Sequence, residues 1–390
     1  MNQVPSFGLR GIKGWAWSAQ QYLDIIPWMP TVRFNFLMNC YSSMCDIERM
    51  EWGTVGCNRW WEPLPDWKAR AYEAVVRACQ DAGIEFCFSM NPNLFSTRFA
   101  RADRTADVDA LWAHYGWMQR LGVRWFNVSL DDVASGLDPF NQVALVNELL
   151  RRLRAADAEV RMIFCPTFYW GDASDPGQRA YLDGIALELD PAVLLFWTGD
   201  AVVTARISAD AGRRYRDAVR HDLFIWDNYP VNDDRPTMHL GPLTGRDPRL
   251  AEVAVGYMGN PMRRQNDLNR LALSTAAEYA WDTAAYDPEQ ASGRAIDRLA
   301  STGEQREVLR DLVAAYPGML LSGQNQYFNP VRDQFERLRA RSRAEAGSFV
   351  EELRGVSDRF GRAFRDSCEA ERRTIGDDVA WMENRLQDAP

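Results

Sequence analysis

The amino-acid sequence predicts a (β/α)8 TIM-type barrel over residues 1–289, followed by a helical domain over residues 290–390. From residue 8 to about residue 286, short β-branched or aromatic runs alternate with longer segments whose apolar residues recur three and four positions apart. This alternation is typical of repeated βα units. After residue 288 the chain becomes charged and helix-favouring, and no strand pattern is present, so the last part is predicted to be helical.

Eight strands are predicted, the number that closes a barrel of this type. They cover residues 8–14, 32–38, 84–90, 123–130, 160–166, 193–197, 223–226 and 253–258. Intervening helices are predicted, among others, at residues 67–82, 107–121, 141–156 and 267–280. A doubly wound sheet is the alternative, but it usually carries a GxGxxG loop after its first strand, and none follows here.

Two connections are unusually long, at residues 39–66 and 229–251. Long loops after barrel strands open at the carboxyl face, where they form pocket walls. The first loop carries Trp52, Trp60 and Trp61. Exposed aromatic rings would suit a sugar platform, whereas a loop that packs its own rings for rigidity is equally compatible with the sequence.

The helical region contains an apolar stripe at four-and-three spacing, which indicates one face of an amphipathic helix. The stripe consists of Phe349, Leu353, Val356, Phe360 and Phe364. We expect it to pack against the barrel or a neighbouring helix, and a homodimer interface through this domain is the alternative.

Composition argues against several classes of protein. The formal net charge is −9 and no basic block occurs, so a nucleic-acid partner is not expected. No apolar run reaches the length of a bilayer span and the N-terminus lacks a signal pattern, which predicts a cytoplasmic protein without membrane association. The seven cysteines show no paired spacing, so a disulfide scaffold is not expected. Lysine occurs twice, at Lys13 and Lys68.

The fourth predicted strand reads WFNVSLDDV and ends on Asp131 and Asp132, here called the acidic pair. Two adjacent carboxyl groups cannot both ionise cheaply, so one is expected to keep its proton near neutral pH, as a general acid must. The structural alternative is that Asp132 caps the next helix, because Asp is a favoured N-cap residue.

Polar and aromatic residues also follow the next four strands. They lie in the segments CPTFY at 165–169, WTGD at 197–200, WDNYPVND at 226–233 and GNPM at 259–262. Taken singly, Asn228 is explained as a turn former, Asp233 as a loop cap and Trp226 as a core aromatic. Their joint placement at one end of consecutive strands predicts a pocket for a polyol.

Metal and cofactor chemistry is not expected. The three histidines, His114, His221 and His239, lie on predicted helices or loops without ligand spacing, and no HxH or CxxC pair occurs. A Ser-His-Asp arrangement is also not expected, because no GxSxG turn is present and no histidine ends a strand.

The strand-end motifs resemble glycoside hydrolase family 84, which contains O-GlcNAcases and bacterial β-N-acetylglucosaminidases. The resemblance rests on WTG at 197–199, IWDNYPVND at 225–233, LGPLTGR at 240–246 and NPM at 260–262. With the acidic pair and the CPTFY segment it covers most of residues 8–290. It implies that the acetamide oxygen of the substrate attacks the anomeric carbon, giving an oxazoline intermediate and retention without an enzyme nucleophile.

The resemblance also implies residue roles. Asp131 would orient and stabilise the acetamide N–H, and Asp132 would protonate the leaving oxygen and later deprotonate water. Tyr169 would donate its hydroxyl to the acetamide oxygen, and Asn228 would hold the acid side of the site. The implied substrate-binding residues are Gly14 through its backbone, Val202 and Trp226 at the acetamide pocket, and Asp233 and Asn260 at sugar hydroxyls.

One position departs from the family, because Asn39 stands where the substrate-binding lysine is expected, at the end of strand two. A short neutral side chain would weaken contacts to sugar hydroxyls there, unless strand two is read out of register. The leading hypothesis is a retaining hydrolase of terminal β-linked N-acetylglucosamine on a glycoside or glycoprotein. The alternatives are the same mechanism on another N-acetylhexosamine, or a sugar-binding pseudoenzyme, although a binding module has no need of a proton donor.

Overall fold

The computed structural model describes residues 4–44, 56–133, 138–233 and 235–387. The chain packs as two compact units that interleave in sequence. The first comprises Met1–Val202, Ile207–Asp227 and Asp247–Asn260, and the second comprises Val203–Arg206, Asn228–Arg246 and Pro261–Pro390. The boundary predicted between residues 289 and 290 stays a prediction from sequence.

The first unit is built on a closed parallel barrel in which each strand neighbours the next in sequence and β8 pairs with β1. The strands are β1 (Leu9–Lys13), β2 (Phe36–Met38), β3 (Glu85–Met90), β4 (Trp125–Ser129), β5 (Arg161–Cys165), β6 (Leu194–Trp197), β7 (Leu223–Pro230) and β8 (Ala254–Asn260). The predicted eight-stranded barrel is therefore confirmed. The last residues of β7, from Asn228, pack with the second unit.

Helices follow most strands of the first unit. They are α1 (Ala19–Ile25), α2 (Asp66–Asp81), α3 (Thr105–Arg120), α4 (Pro139–Ala156), α5 (Pro176–Glu188) and α6 (Ala209–Val219). The described helices α2, α3 and α4 begin and end within two residues of the sequence predictions, because their apolar periodicity is long and regular.

Strand two is shorter than predicted. Residues Met29–Val32 form a 3-10 helix instead of the start of the strand, and Arg33 follows in the left-handed region with φ of 66°. Pro30 lies in the first turn of that helix, where its fixed φ is compatible with helical backbone. The apolar run from residue 32 therefore contains a turn before the strand begins at Phe36.

Strand seven is longer than predicted and runs through the Asp-Asn pair that resembles a turn in the sequence. Asp227 is buried there and accepts a hydrogen bond from the Tyr257 hydroxyl of β8 at 2.6 Å. A buried acid with a partner on the neighbouring strand favours continued strand over a turn.

A layer of paired polar side chains lies inside the barrel near the carboxyl ends of β3, β4 and β5. The hydroxyls of Ser89 and Ser129 donate to Asn127 Oδ1 at 2.6 and 2.8 Å, and Asn127 Nδ2 donates to the Ile163 carbonyl at 3.1 Å. Buried polar groups of this kind specify one arrangement when all are paired. The layer holds the three strand ends in register beneath the acidic pair.

The second unit is helical. Its helices are α7 (Asn269–Trp281), α8 (Pro288–Leu299), α9 (Gly303–Ala315), α10 (Met319–Ser322), α11 (Pro330–Arg341), α12 (Arg343–Ala363) and α13 (Glu369–Gln387). The apolar stripe lies along α12 and its end. Leu353, Val356, Phe360 and Phe364 belong to the core of this unit, and Phe349 packs against that core. Packing of the stripe within the helical region is thus confirmed, and the homodimer through this domain stays a prediction.

Helix α13 of the second unit carries buried carboxyl groups, among them that of Glu371. Glu371 of α13 is 1% exposed, and its Oε1 accepts a hydrogen bond from the Leu268 backbone N–H at 2.9 Å. Burial raises the pKa of Glu371 from 4.5 to about 7. The folded chain therefore binds a proton here more tightly than the unfolded chain does.

We expect this group to reduce stability as pH rises. Between pH 4.5 and about 7 the folded state holds more protons than the unfolded state, so the free energy of unfolding falls across that window. Glu371→Gln keeps an acceptor for Leu268 and removes the titration. At pH 8 the variant should be more stable than wild type by about 2 to 3 kcal/mol, with the difference vanishing near pH 4.5, as measured by urea unfolding.

The matched control is Glu369→Gln on the same helix, whose side chain is 78% exposed. It should follow the wild-type pH dependence. An equal shift of the Glu371 variant at every pH would contradict the assignment.

Candidate active site

The acidic pair follows β4 at the carboxyl face of the barrel, and its two members occupy different environments. Asp131 is 1% exposed, whereas Asp132 is exposed to solvent. Asp132 has φ of 56°, a left-handed backbone that costs energy for a residue with a Cβ atom. The turn therefore directs two adjacent carboxyl groups to a buried and an open position, as unequal acid–base roles require.

The capping alternative for Asp132 is wrong. Helix α4 begins at Pro139, and its N-cap is Asp138, whose side chain accepts from the N–H groups of Phe140 and Asn141 at 3.0 and 3.2 Å. Since another aspartate caps the next helix, Asp132 does not have that structural role.

Each member of the acidic pair has its own tyrosine donor. The Tyr41 hydroxyl, after β2, donates to Asp131 Oδ2, and the Tyr169 hydroxyl, after β5, donates to Asp132 Oδ1 at 3.1 Å. Burial, followed by the charges of the two aspartates, raises the pKa of both phenols well above the ordinary value. Both tyrosines therefore keep their protons and remain donors.

Asp131 accepts hydrogen bonds on both carboxylate oxygens. Besides Tyr41, the Asn91 side chain donates to Asp131 Oδ1 at 3.3 Å and to its backbone carbonyl at 3.1 Å. Burial raises the pKa of Asp131, and the charge of Lys13 is the largest influence that opposes this rise. The hydrogen bonds also favour the ionised form.

An aromatic and cationic cluster lies beside the tyrosines. The ring of Trp226, on β7, stacks on Tyr169 with centroids 5.9 Å apart. The ammonium of Lys13, the last residue of β1, lies 3.6 Å from the centroid of the Trp226 ring and 4.4 Å from that of Tyr41. Lys13 Nζ and Trp226 Nε1 are buried, and neither has a hydrogen-bond partner among the described residues.

Sequence reasoning missed Lys13, Tyr41 and Asn91. Each ends or closely follows a different strand, so their meeting depends on barrel closure. A signal was present for Lys13, because it is one of two lysines in the chain and stands at the carboxyl end of an apolar strand.

Asn39 is fully buried and its amide group bonds to backbone. Its Nδ2 donates to the carbonyls of Ser89 and Cys40 at 2.9 and 3.1 Å, and its Oδ1 accepts from the Ser89 N–H at 2.8 Å. The side chain thus joins the ends of β2 and β3. This geometry does not supply the expected sugar contact and agrees with the alternative that strand two was read out of register.

The remaining predicted residues of the first unit lie at strand ends. Gly14 follows β1, and its carbonyl accepts from the Tyr22 hydroxyl at 3.2 Å. A Cβ atom at Gly14 would lie 2.1 Å from the Trp17 ring, so close packing requires glycine here. Asn260 ends β8 and is buried, and Val202 is half-buried after β6. Their sugar contacts stay predictions.

Asn228 and Asp233 belong to the second unit. Asn228 is 9% exposed within β7, and Asp233 has φ of 49° and accepts from Gln326 Nε2 at 3.3 Å. Their predicted contacts with the acid and the sugar also stay predictions.

Trp60 and Trp61 of the long loop after β2 pack against each other and against Arg98, which follows β3. Trp60 is 1% exposed and its Nε1 donates to the Arg98 carbonyl at 2.7 Å. Trp61 meets Trp60 edge to face, and the Arg98 guanidinium lies 5.4 and 5.5 Å from the two ring centroids. The rigid-loop interpretation therefore holds for these two rings. Trp52 lies outside the described residues.

The three histidines each bond to a backbone carbonyl. His114 pairs with Trp60, His221 with Val193, and His239 with Gln326, at 3.0, 2.8 and 3.0 Å. Burial lowers the pKa of each, so all three favour the neutral form.

Within the described residues, no helix combines the length and apolar character that a membrane span needs.

We expect Asn39 to contribute to stability. Asn39→Ala removes three hydrogen bonds and leaves the buried Ser89 N–H and carbonyl without these partners, which costs on the order of 2 to 4 kcal/mol. Chemical denaturation should show this loss, while the ratio of activities on different sugars in the folded protein stays unchanged. The control is Asn35→Ala. The Asn35 side chain also bonds to backbone groups, but it joins β1 to the start of β2, at the opposite end of the strands from Asn39. A changed sugar preference with unchanged stability would instead assign Asn39 to the pocket.

Part of the chain is similar in sequence to curated relatives. Protein O-GlcNAcase of Rattus norvegicus and that of Mus musculus are each 27% identical over 233 residues, which covers 56% of this chain. The chain matches 25% of the length of either relative.

Solved structures share the fold. A mutant of the O-GlcNAc hydrolase of Thermobaculum terrenum superposes with a TM-score of 0.76 at 20% identity, covering 97% of this chain and 83% of that one. CpGH84B superposes with a TM-score of 0.72 at 22% identity, covering 97% of this chain and 67% of that one.

The profile of the beta-N-acetylglucosaminidase family matches residues 11–314. That range begins within β1 and contains the other seven strands, the acidic pair and the strand-end motifs on which the sequence resemblance rests. The chain therefore belongs to the β-N-acetylglucosaminidase family, glycoside hydrolase family 84.

Proposed function

We propose that the protein is a retaining hydrolase that removes terminal β-linked N-acetylglucosamine by substrate-assisted catalysis. The observation that carries this proposal is the division of the acidic pair. Asp131 is buried and accepts hydrogen bonds on both oxygens, whereas Asp132 is exposed to solvent and accepts from Tyr169. One carboxyl group is thus suited to remain an anion and the other to exchange a proton with a leaving group or water.

In the first step the acetamide oxygen of the sugar attacks the anomeric carbon, and the glycosidic bond breaks. Asp132 gives its proton to the departing oxygen. The oxazoline that forms carries positive charge spread over the acetamide nitrogen, and the Asp131 carboxylate accepts the N–H and stabilises that charge. The negative charge of Asp131 also favours retention of the Asp132 proton until the leaving oxygen takes it.

In the second step water attacks the anomeric carbon from the side of the departed group. Asp132, now ionised, takes a proton from that water, and the bond between the anomeric carbon and the oxazoline oxygen breaks. Two inversions give overall retention, and the acetamide is regenerated.

Tyr169 and Trp226 are proposed to shape the acetamide site. The Tyr169 phenol keeps its proton because of burial and the adjacent acids, which suits donation to the acetamide oxygen as charge develops there. Its stacking on Trp226 gives a flat apolar wall of the kind that an acetamide methyl group requires. Gly14, Val202 and Asn260 are proposed to complete the sugar contacts, with Asn228 and Asp233 as the family resemblance implies.

The substrate class follows from the relatives. Their names describe O-GlcNAc hydrolysis, in two cases from protein, and the motifs of the acetamide site support the same sugar here. A glycoside or glycoprotein bearing terminal N-acetylglucosamine is therefore proposed.

Substrate range tests the proposed function. The purified protein should hydrolyse 4-nitrophenyl β-N-acetylglucosaminide and be inhibited by a thiazoline that imitates the oxazoline. It should leave the matching β-glucoside intact, because that sugar lacks the internal nucleophile. A faster rate on the β-N-acetylgalactosaminide would change the assigned sugar, and cleavage of the glucoside at a comparable rate would contradict the mechanism.

Asp132→Asn tests the acid. Its activity should fall on the order of 100-fold or more on substrates with poor leaving groups and much less on activated aryl glycosides, which need little protonation. Asp138→Asn is the control, since asparagine also caps helices and the residue lies six positions away. Equal losses on both substrate types would remove Asp132 from the role of acid.

A further inference from the structure

Lys13 carries a buried charge for which the proposed mechanism has no role so far. It is 0% exposed, and its Nζ has no hydrogen-bond partner among the described residues. The ammonium lies instead against aromatic faces, 3.6 Å from the Trp226 centroid, 4.4 Å from that of Tyr41 and 5.6 Å from that of Trp15. A cation withdrawn from water in this way is costly unless a negative charge compensates it.

The aromatic rings compensate the ammonium only in part. A ring face attracts a cation through its quadrupole, and the attraction grows when water is excluded. A desolvated ammonium nevertheless loses several strong hydrogen bonds to water, so a full negative charge nearby remains the effective compensation. Asp131 is the carboxylate that the Tyr41 hydroxyl contacts, and the Tyr41 ring contacts the Lys13 ammonium. The charge of Lys13 also lowers the pKa of Asp131 against the effect of burial.

Tyr41 connects the two charges. Its ring carries the Lys13 ammonium on one face, and its hydroxyl donates to Asp131. A cation over the ring draws electron density from the phenol, which strengthens the O–H as a donor to the carboxylate. The charge of Lys13 thus favours the Asp131 anion directly and through Tyr41.

We propose that Lys13 is a positioning residue that keeps Asp131 ionised, so that the acidic pair divides into one anion and one proton donor. For its effect on turnover, this inference rests on the proposed function. The assignment of Lys13 and Asp131 as a charge pair does not, since it rests on the contact of the Lys13 ammonium with the Tyr41 ring and on the hydrogen bond from the Tyr41 hydroxyl to Asp131.

Other titratable groups also face Asp131, and their charges must be considered together. They are Lys13 of β1, Tyr41 after β2, Asp132 beside it, Cys165 of β5 and Tyr169 after β5. Burial raises the pKa of Cys165 and of both phenols, so these three groups are neutral near pH 7. Lys13 is thus the cation of the group, and it opposes both the burial of Asp131 and the charge of Asp132.

Lys13→Met tests the proposal through a pH profile. Methionine fills a similar volume without charge, so Asp131 should ionise at higher pH. The acid limb of kcat/KM for the aryl N-acetylglucosaminide should move up by about one pH unit, which lowers kcat/KM about tenfold on that limb while leaving the plateau closer to wild type. Lys13→Arg keeps the charge and should keep the limb in place. If Lys13→Met folds and the acid limb of its kcat/KM profile stays at the wild-type pH, the proposal is overturned.

The matched control is the other lysine of the chain. Lys68 of α2 is also buried, 2% exposed, with its ammonium 5.9 Å from the Trp67 ring centroid. Lys68→Met should leave the acid limb unchanged. If both methionine variants move it equally, the shift reflects the loss of any buried lysine and not a pairing with Asp131.

A second measurement needs no turnover. With two lysines in the chain, protein labelled with ¹³C at lysine Cε gives two resonances, and Lys13→Met identifies one of them. The chemical shift of the Lys13 signal should change in Asp131→Asn, whereas the Lys68 signal should stay where it is in wild type. A Lys13 signal that is unchanged in Asp131→Asn overturns the charge pair. Absence of hydrolysis with the pair intact would instead reject the proposed function alone.

Discussion

The mechanism proposed here depends on keeping one carboxylate charged inside a protein core. Asp131 lies where water cannot solvate it, so its charge requires donors from the surrounding strands. Tyr41 and Asn91 supply hydrogen bonds from the ends of β2 and β3, and Lys13 supplies a cation from β1. Barrel closure is what brings these three strands around the end of β4. Closure of the barrel therefore places the groups that stabilise a charge on the buried member of the acidic pair.

Much of this could be predicted from the sequence, because the relevant signals are local. Apolar periodicity located the strands and the long helices, and adjacent acids after a buried strand stood out without any tertiary information. Strand two was misplaced at its start because an apolar run does not reveal the 3-10 turn at Met29–Val32. The strand-end motifs identified the family because their order and spacing are specific.

The rest could not be predicted, because it depends on pairs that are distant in sequence. Asn39 and its hydrogen-bond partner Ser89 lie 50 positions apart, and Tyr41 and Asp131 lie 90 positions apart. Whether a polar side chain at a strand end faces the pocket or the neighbouring backbone is decided by register, and register is invisible in a single strand. Lys13 was overlooked for the same reason, since its partners are on β2, β4 and β7.

The backbone at Asp132 limits what this position can become during evolution. Its left-handed φ is tolerated by Asp, Asn and Gly and disfavoured for longer or branched side chains. Glutamate, the other common proton donor, would have to accept that conformation and also extend one methylene further into the leaving-group space. Replacement of Asp132 by asparagine or glycine therefore keeps the backbone of the turn. Neither residue can donate a proton as a carboxylic acid does. In the proposed mechanism, the substitutions that this backbone accepts most easily are therefore the ones that remove the acid.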